Sequence, residues 1–257
     1  MRIVSFQADN ATVKGYLQED HDRLVRHKVR PALILCAGGA YRWQSPREED
    51  PVALRFSAMG YNVFIVTYSV KEKAAGQRPL RELAQTVKTV RARAGEFRID
   101  PHKVAVMGFS AGGHLACSLA VLWDELGLGE DTRPDALILG YPVITTGAFA
   151  HPESIQWVTG GDLQAKKLFS LENHVTGKMP PTFVWHCVGD ESVPVENTLL
   201  LVDAMQKAGV DYECHLFQGG AHGISMCTVE VETPYPQIAP WVGLCETWLN
   251  ARFEYTP

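Results

Sequence analysis

A chain of 257 residues with 46% hydrophobic and 21% charged residues is long enough to bury a full core and too apolar to be disordered. Its formal net charge of −5 gives no basic footprint for nucleic acid or for an acidic membrane surface. No run approaches about 18 consecutive apolar residues, and the N-terminus has none of signal-peptide length, so we expect a cytoplasmic protein without membrane contact.

The first elements of the chain are predicted to be strands. Residues 1–30 alternate apolar and polar positions, which indicates edge strands or a hairpin, and His21 and His27 in this polar region are expected at the surface. Residues 31–41 are apolar on both faces and then turn at glycines, which predicts a central buried strand. Such a turn at the end of a strand is where open α/β sheets bind ligands.

Helices and strands then alternate along the chain. Apolar spacing predicts a helix over 47–59 that Gly60 ends, and a strand over 61–68. Pro79 begins the next helical pattern, and Gly95 is expected to end it. A strand then leads to Ser110, so the order predicts parallel βαβ crossovers.

The second half of the chain continues this alternation. It predicts a strand at 135–142, a strand at 182–188, a helix that stops at Gly209, a strand at 211–217 and a closing amphipathic helix around 241–249. Residues 143–181 have weaker periodicity, and their length allows a small excursion over the site but not a large independent lid.

The six cysteines follow no C-x-x-C spacing, and several fall in apolar strand or helix patterns. We therefore expect buried free thiols instead of disulfides or a metal site. Counting alone leaves a cysteine nucleophile open, but none of the six lies in a strand-to-helix turn of the kind described next.

Residues 108–112 match G-x-S-x-G, in which a serine occupies a strained turn between a strand and a helix. Ser110 would sit at the start of that helix, where unpaired N–H groups, including that of Ala111, point at any negative charge beside the serine. The bare motif is weak evidence, since a serine in a glycine-rich turn is common. The predicted flanking strand and helix are what strengthen it.

A serine nucleophile needs a base, and the base needs a group that fixes its tautomer. Asp190 follows one late strand and His222 follows the next, in a glycine-flanked loop. Glu191 competes with Asp190 for the acidic role, but Asp190 comes directly after the strand end. Three other histidines are expected to be structural, because they lie within predicted strands or in the helix after the turn at Ser110, which we call the elbow: His114, His186 and His215.

Several blocks of sequence, in the right order, resemble the α/β-hydrolase superfamily and, within it, lidless esterases grouped with acetyl esterases and acetylxylan esterases. The resemblance runs from about residue 31 to the final helix. The blocks are residues 37–41, 47–53, 68–70, 108–115, 141–144, 181–183, 190–197 and 221–223. This resemblance implies an α/β fold with a mostly parallel central sheet, helices on both faces and no large lid. From the length of the chain we expect a single domain over 1–257.

The resemblance also implies roles for individual residues. Ser110 would be the nucleophile, His222 the base and Asp190 the acid that orients it. Backbone N–H groups of the oxyanion hole would come from Ala111 and from Gly39 or Ala40, and which of the last two donates stays open.

The sequence departs from the family pattern at two positions of the loop after the first central strand, and two aromatic residues follow these positions. The sequence has alanine at Ala37 and Ala40 where the family pattern is glycine-rich, and a positive φ at Ala40 would be strained. Tyr41 and Trp43 follow this loop, so each is a candidate substrate contact or, alternatively, a core residue.

The predicted function is a serine carboxylesterase that removes a short acyl group, acetyl above all, from an alcohol or carbohydrate through an acyl-enzyme. We expect a small-molecule ester as partner, no cofactor and no metal, and the sequence is compatible with a homo-oligomer. One alternative is a serine peptidase of the prolyl-oligopeptidase type, which usually carries a propeller for which we expect no room here. Another is a binding protein on a hydrolase scaffold, although such proteins tend to lose a triad member.

Overall fold

A computed structural model describes residues 1–19, 29–232 and 234–257. The strands are β1 (Arg2–Ala8), β2 (Ala11–Leu17), β3 (Arg30–Cys36), β4 (Asn62–Thr67), β5 (Ile99–Phe109), β6 (Ala136–Gly140), β7 (Thr182–Cys187) and β8 (Tyr212–Phe217). The helices are α1 (Asp50–Ala58), α2 (Arg78–Ala92), α3 (Ala94–Phe97), α4 (Ser110–Leu122), α5 (Pro152–Thr159), α6 (Leu163–Leu168), α7 (Glu196–Ala208) and α8 (Trp241–Phe253). The predicted surface positions His21 and His27 lie outside the described residues.

All eight strands join one sheet in the order β1-β2-β4-β3-β5-β6-β7-β8. The strands β1, β2 and β4 pair antiparallel, and the remaining neighbours from β4 to β8 pair parallel. The predicted N-terminal hairpin is present, but of its two strands only β1 lies at an edge of the sheet, because β2 pairs with β4 on its other side. The carboxyl ends of β3, β5, β6, β7 and β8 therefore meet along one border of the sheet.

Helices cover both faces of the sheet, which explains the continuous apolar character of its central strands. In β3, Ile34 packs into the core cluster beneath α2, α4 and α7. Its neighbours Leu33 and Leu35 point into the second cluster, with α1 and α8. A strand with no polar face is buried on both sides, as expected for a parallel sheet between two helical layers.

Two segments differ in detail from the sequence prediction. The helix predicted to continue to Gly95 ends at Ala92, and Gly95 lies inside the short helix α3. The backbone leaves the helix at Arg93, whose guanidinium pairs with Glu96 and packs over Phe97. The excursion over 143–181 contains α5 and α6, so it is small but not irregular.

The six cysteines are free thiols, as predicted, and all except the half-buried Cys214 are buried. Burial raises the pKa of the Cys187 thiol to about 12, which keeps it in its unreactive thiol form at neutral pH. Within the part of the chain that the structure describes, no helix has both the length and the apolar character needed to cross a membrane.

Candidate active site

Ser110 occupies the junction between β5 and α4 with φ of 53°, the strained conformation expected for the motif. The motif's glycines are required by close packing. A Cβ added at Gly108 would lie 2.1 Å from the carbonyl oxygen of Gly112, and one at Gly112 would lie 2.2 Å from that of Cys36. Only glycine allows the helix to begin this close to the neighbouring strands.

Ser110 belongs to a hydrogen-bonded chain of three side chains. Its Oγ lies 2.8 Å from Nε2 of His222, and Nδ1 of His222 lies 2.7 Å from Oδ2 of Asp190. Because an ionised carboxylate only accepts, Nδ1 carries the proton and Nε2 is left to accept from the serine hydroxyl. The arrangement can move a proton from serine to imidazole while the carboxylate stabilises the imidazolium.

Asp190 is a buried carboxylate surrounded by donors. Its Oδ1 accepts from the N–H groups of Ser192 at 3.0 Å and Val193 at 2.9 Å. Its Oδ2 also lies 3.4 Å from Nε2 of His186. Burial raises the pKa of this carboxyl group, but hydrogen bonds from His186 and His222 outweigh burial and leave the pKa well below its ordinary range. Asp190 is therefore a permanent anion at neutral pH.

The competing carboxylate and the other three histidines are placed differently. Glu191 is exposed, and the structure brings Asp190, not Glu191, to His222. His114 is buried and bonds Tyr41 and a backbone carbonyl, while His215 pairs with Glu213 on β8. His186 was expected to be structural only, yet it also contacts Asp190. Its position on β7, four residues before that aspartate, is the sequence signal that could have indicated this contact.

The loop that carries His222 is fastened to the rest of the site through Ser225. The Ser225 N–H donates to the hydroxyl of Tyr141 at 3.0 Å, and its Oγ donates to the carbonyl of Arg47 at 2.6 Å. The indole N–H of Trp241 donates to the carbonyl of Ser225 at 3.0 Å. Tyr141 also packs edge-on against the imidazole of His222, with ring centroids 5.1 Å apart.

The loop after β3 presents backbone N–H groups to the site. Gly39 and Ala40 have φ of 117° and 59°, so the strain predicted for Ala40 is present. Among the described residues, neither of these two amides donates a hydrogen bond. Ala111 lies in the first turn of α4, where helix geometry leaves the N–H unpaired. Both Gly39 and Ala40 remain candidates to join Ala111 in an oxyanion hole.

The buried side chain of Glu48 is hydrogen-bonded to the loop after β3. The N–H of Gly38 donates to its Oε2 at 2.6 Å, and the hydroxyl of Tyr141 donates to its Oε1 at 2.7 Å. Burial raises the pKa of the Glu48 carboxyl group, and these two hydrogen bonds only partly offset that effect. A buried glutamate in a charged segment, 47–50, carries no sequence signal that separates it from its exposed neighbours.

A cavity of about 200 Å³ opens above Ser110. It is lined by Gly39, Ala40, Trp43, Ser45, Arg47, Glu48, Ser110, His151, Glu153, Ser192, His222 and Gly223. Trp43 is 50% exposed on its wall, in keeping with the predicted substrate contact. Tyr41 is 1% exposed and does not line the cavity, so its predicted role as a substrate contact is wrong. Its φ of 59° turns the ring inward, where the hydroxyl lies 3.0 Å from Nδ1 of His114.

The excursion over 143–181 contributes two residues that the sequence did not single out. His151 and Glu153 stand on the cavity wall at the start of α5, and Glu153 forms an ion pair with Arg42 at 3.4 Å. Pro152, at the first position of α5, was the local signal that this helix begins beside the site.

A mostly parallel sheet with a serine on the sharp turn after a central strand, and with its acid and base after two later strands, defines an α/β-hydrolase. A family model described as "Prolyl oligopeptidase family" matches residues 70–245, and the chain belongs to this family.

Solved structures of esterases share the whole fold. The carboxylesterase Cest-2923 from Lactobacillus plantarum superposes with a TM-score of 0.88 at 26% identity and covers 100% of both chains. The acetyl ester-xyloside bifunctional hydrolase from Caldicellulosiruptor lactoaceticus gives a TM-score of 0.82 at 31% identity, covering 94% of this chain and 88% of the other. Within the described residues, no large lid interrupts the shared fold.

An acetylxylan esterase of Xylanibacter ruminicola is 30% identical over 207 residues, which are 77% of this chain and 42% of that protein. The chain spans between 33% and 54% of the length of the curated relatives it matches.

Proposed function

We propose that the protein is a serine carboxylesterase that removes short acyl groups, acetyl above all, from an alcohol or a carbohydrate. The observation that carries the proposal is the hydrogen-bonded chain from Ser110 through His222 to Asp190, at 2.8 and 2.7 Å, at the floor of an open cavity. The esterase names of the similar proteins point to the same chemistry.

In the proposed acylation step, Ser110 Oγ attacks the ester carbonyl carbon as Nε2 of His222 takes the hydroxyl proton. Negative charge develops on the carbonyl oxygen and is stabilised by the N–H of Ala111 and by that of Gly39 or Ala40. The tetrahedral intermediate then collapses, and the imidazolium gives its proton to the departing alcohol oxygen. The acyl group remains on Ser110.

Deacylation repeats these steps with water as the nucleophile. His222 takes a proton from water, the hydroxide attacks the acyl carbon, and the proton then returns to Ser110 Oγ as the carboxylic acid leaves. Asp190 stays ionised throughout, because its lowered pKa makes proton transfer from the imidazolium unfavourable. The cycle needs no cofactor and no metal.

The cavity wall supports a polar alcohol portion. Arg47, His151, Glu153 and Ser192 supply hydrogen-bonding groups around the opening. The half-exposed ring of Trp43 offers a flat apolar face of the kind on which a sugar ring packs. The cavity is small, which favours a short acyl group.

The test is a pre-steady-state burst with p-nitrophenyl acetate. We expect one equivalent of p-nitrophenol per chain before steady turnover, and no burst in the Ser110→Ala variant. A binding protein on the same scaffold would give no burst in either chain. The family description favours the peptidase alternative, so peptide p-nitroanilides are assayed alongside. Faster cleavage of the anilide than of the acetate would make the protein a peptidase.

Further properties stay predictions. They are a single domain over 1–257 and a cytoplasmic location, and the sequence stays compatible with a homo-oligomer.

A further inference from the structure

His151 is a second histidine at the candidate active site, and a helix fixes its tautomer. It caps α5, and its Nδ1 accepts from the N–H of Ser154 at 3.3 Å and lies 2.8 Å from the Ser154 hydroxyl oxygen. A backbone N–H can only donate, so Nδ1 bears no proton. In the neutral ring the proton is therefore on Nε2.

His151 lines the same cavity as Ser110 and His222. Its Nε2, the ring nitrogen that the helix cap leaves unused, has no hydrogen-bond partner in the described parts of the chain. Burial lowers the pKa of His151, and the nearby His222 lowers it further, whereas Glu153 and Asp190 act in the opposite direction. The net lowering keeps the ring neutral at neutral pH, with one N–H donor and no available acceptor.

The protonation state of His151 limits the roles that its Nε2–H donor can have in the reaction. It cannot act as a general base, because the lone pair on Nδ1 is occupied by Ser154. In the proposed mechanism the oxyanion is already bound by backbone donors from the loop after β3 and from α4. What remains is the alcohol portion of the substrate, which leaves through the opening that His151 helps to form.

We propose that His151 is a specificity-determining residue whose Nε2–H donates a hydrogen bond to a hydroxyl oxygen of the substrate's alcohol portion. The ligand class is an ester of a polyhydroxylated ring. Glu153, two residues along the chain, lies on the same wall, so the wall offers an acceptor beside the donor. A donor next to an acceptor matches neighbouring hydroxyl groups, each of which can both donate and accept. This inference rests on the proposed esterase function.

The experiment compares two acetate esters of similar ring size. One is a mono-acetylated methyl xyloside, and the other is cyclohexyl acetate, which has no hydroxyl group. His151→Asn keeps an oxygen that can cap α5 but is too short to place a donor where Nε2 lies. We expect the ratio of kcat/KM for the sugar ester to kcat/KM for cyclohexyl acetate to fall roughly tenfold, the value of one neutral hydrogen bond.

The matched control is Asp162→Asn. Asp162 caps α6, where its side chain accepts from the N–H of Ala165 at 2.7 Å, and it does not line the cavity. This substitution changes a helix cap without changing the cavity wall. The ratio of the two kcat/KM values should therefore stay at the wild-type value. Thermal unfolding of both variants checks that the fold is retained.

A second measurement does not depend on turnover. The product methyl xyloside should inhibit hydrolysis of p-nitrophenyl acetate competitively. Its inhibition constant should rise in His151→Asn and stay close to the wild-type value in His151→Gln, whose longer side chain brings an amide N–H donor toward the position of Nε2. An unchanged ratio with an unchanged inhibition constant in His151→Asn would overturn the role of His151, as would a parallel loss on both esters. If the wild-type chain does not hydrolyse p-nitrophenyl acetate, it is the proposed esterase function that fails. If it hydrolyses p-nitrophenyl acetate but neither of these two esters, the ligand class proposed here is wrong.

Discussion

The buried carboxylate of Glu48 and the hydroxyl of Tyr141, 93 positions apart in sequence, lie 2.7 Å apart behind the candidate oxyanion loop. The other oxygen of Glu48 accepts the N–H of Gly38 at 2.6 Å. Tyr141 in turn accepts from Ser225, in the loop that carries His222. One carboxylate thus connects the loop that would bind the oxyanion to the loop that carries the base.

Glu48→Ala should therefore damage both stability and turnover. It leaves the Gly38 N–H and the Tyr141 hydroxyl without their partner, and each buried unpaired group costs about 1–3 kcal/mol. We expect a lower free energy of unfolding in urea and a larger fall in kcat than rise in KM. Glu48→Gln keeps one acceptor and should be intermediate. Wild-type kcat in Glu48→Ala would show that the loop does not need this support.

The stability contributed by Glu48 should depend on pH in a direction set by its raised pKa. The folded chain holds the Glu48 proton more tightly than the unfolded chain, in which the carboxyl group has its ordinary pKa of 4.5. The stability that this proton adds to the fold is complete below that pKa and is lost as the pH rises through the raised pKa of the folded chain. The free energy of unfolding of wild type minus that of Glu48→Gln should fall over this rise in pH. Urea titrations of both chains at several pH values measure this difference. A difference that grows with pH would contradict a raised pKa for Glu48.

Asp190→Asn should impair hydrolysis far more than Glu191→Gln. The asparagine amide can donate to Nδ1 and so favour the wrong tautomer of His222, which removes the base. We expect kcat to fall by on the order of 10³–10⁴ for Asp190→Asn. Glu191 is exposed, and its substitution should change kcat less than about twofold. Steady-state kinetics on p-nitrophenyl acetate compare the two, and the reverse ranking would move the acid to Glu191.

Two adjacent loop positions should respond in opposite ways to exchange of glycine and alanine. A Cβ at Gly39 would lie 2.4 Å from the carbonyl oxygen of Trp43, so Gly39→Ala should cost about 1–3 kcal/mol and lower kcat. Ala40 already has a left-handed φ, and Ala40→Gly relieves roughly 1 kcal/mol of strain against a similar gain in unfolded-chain entropy. Its stability and kcat should stay close to wild type. Equal losses in both variants would exclude this account of the loop.

The acyl-length profile should be narrow. A pocket that accommodates a methylene gains roughly 1 kcal/mol, and one that clashes loses at least as much, so chain length measures pocket depth. With p-nitrophenyl esters from acetyl to dodecanoyl, we expect kcat/KM to be highest for acetyl or propionyl and to fall by octanoyl. Trp43→Ala should leave this profile unchanged with little loss of stability, because its half-exposed ring is assigned to the alcohol portion, which is the same throughout the series. A maximum at octanoyl or longer refutes the short-acyl proposal.

The elements that the sequence predicted well are those whose signals are local. Strands such as β3 and β5 are continuous apolar runs, and Gly209 ends α7 in the left-handed conformation. The elbow around Ser110 also has a local signal, because its motif lies within five consecutive residues, although Gly112 packs against the distant Cys36. The order in which Asp190 and His222 follow their strands was enough to bring them to one border of the sheet.

What the sequence missed depends on contacts between distant segments. Glu48 is buried by the loop after β3 and by Tyr141, and Tyr41 is turned into the core by a positive φ at a non-glycine residue. His151 reaches the cavity because α5 begins there, although its neighbourhood in sequence has weak periodicity. None of these placements follows from the residues immediately before and after.

The distance in sequence between Ser110 and His222, 112 positions, has a consequence for the newly made chain. Synthesis proceeds from the N-terminus, so the elbow leaves the ribosome well before β7, β8 and the loop that carries the imidazole. Until that loop is tied to Arg47 and Tyr141 through Ser225, the serine has no base. On the proposed mechanism, a nascent or truncated polypeptide that lacks this loop should therefore be inert toward esters, and hydrolysis should begin only once the loop after the last strand has reached Ser110.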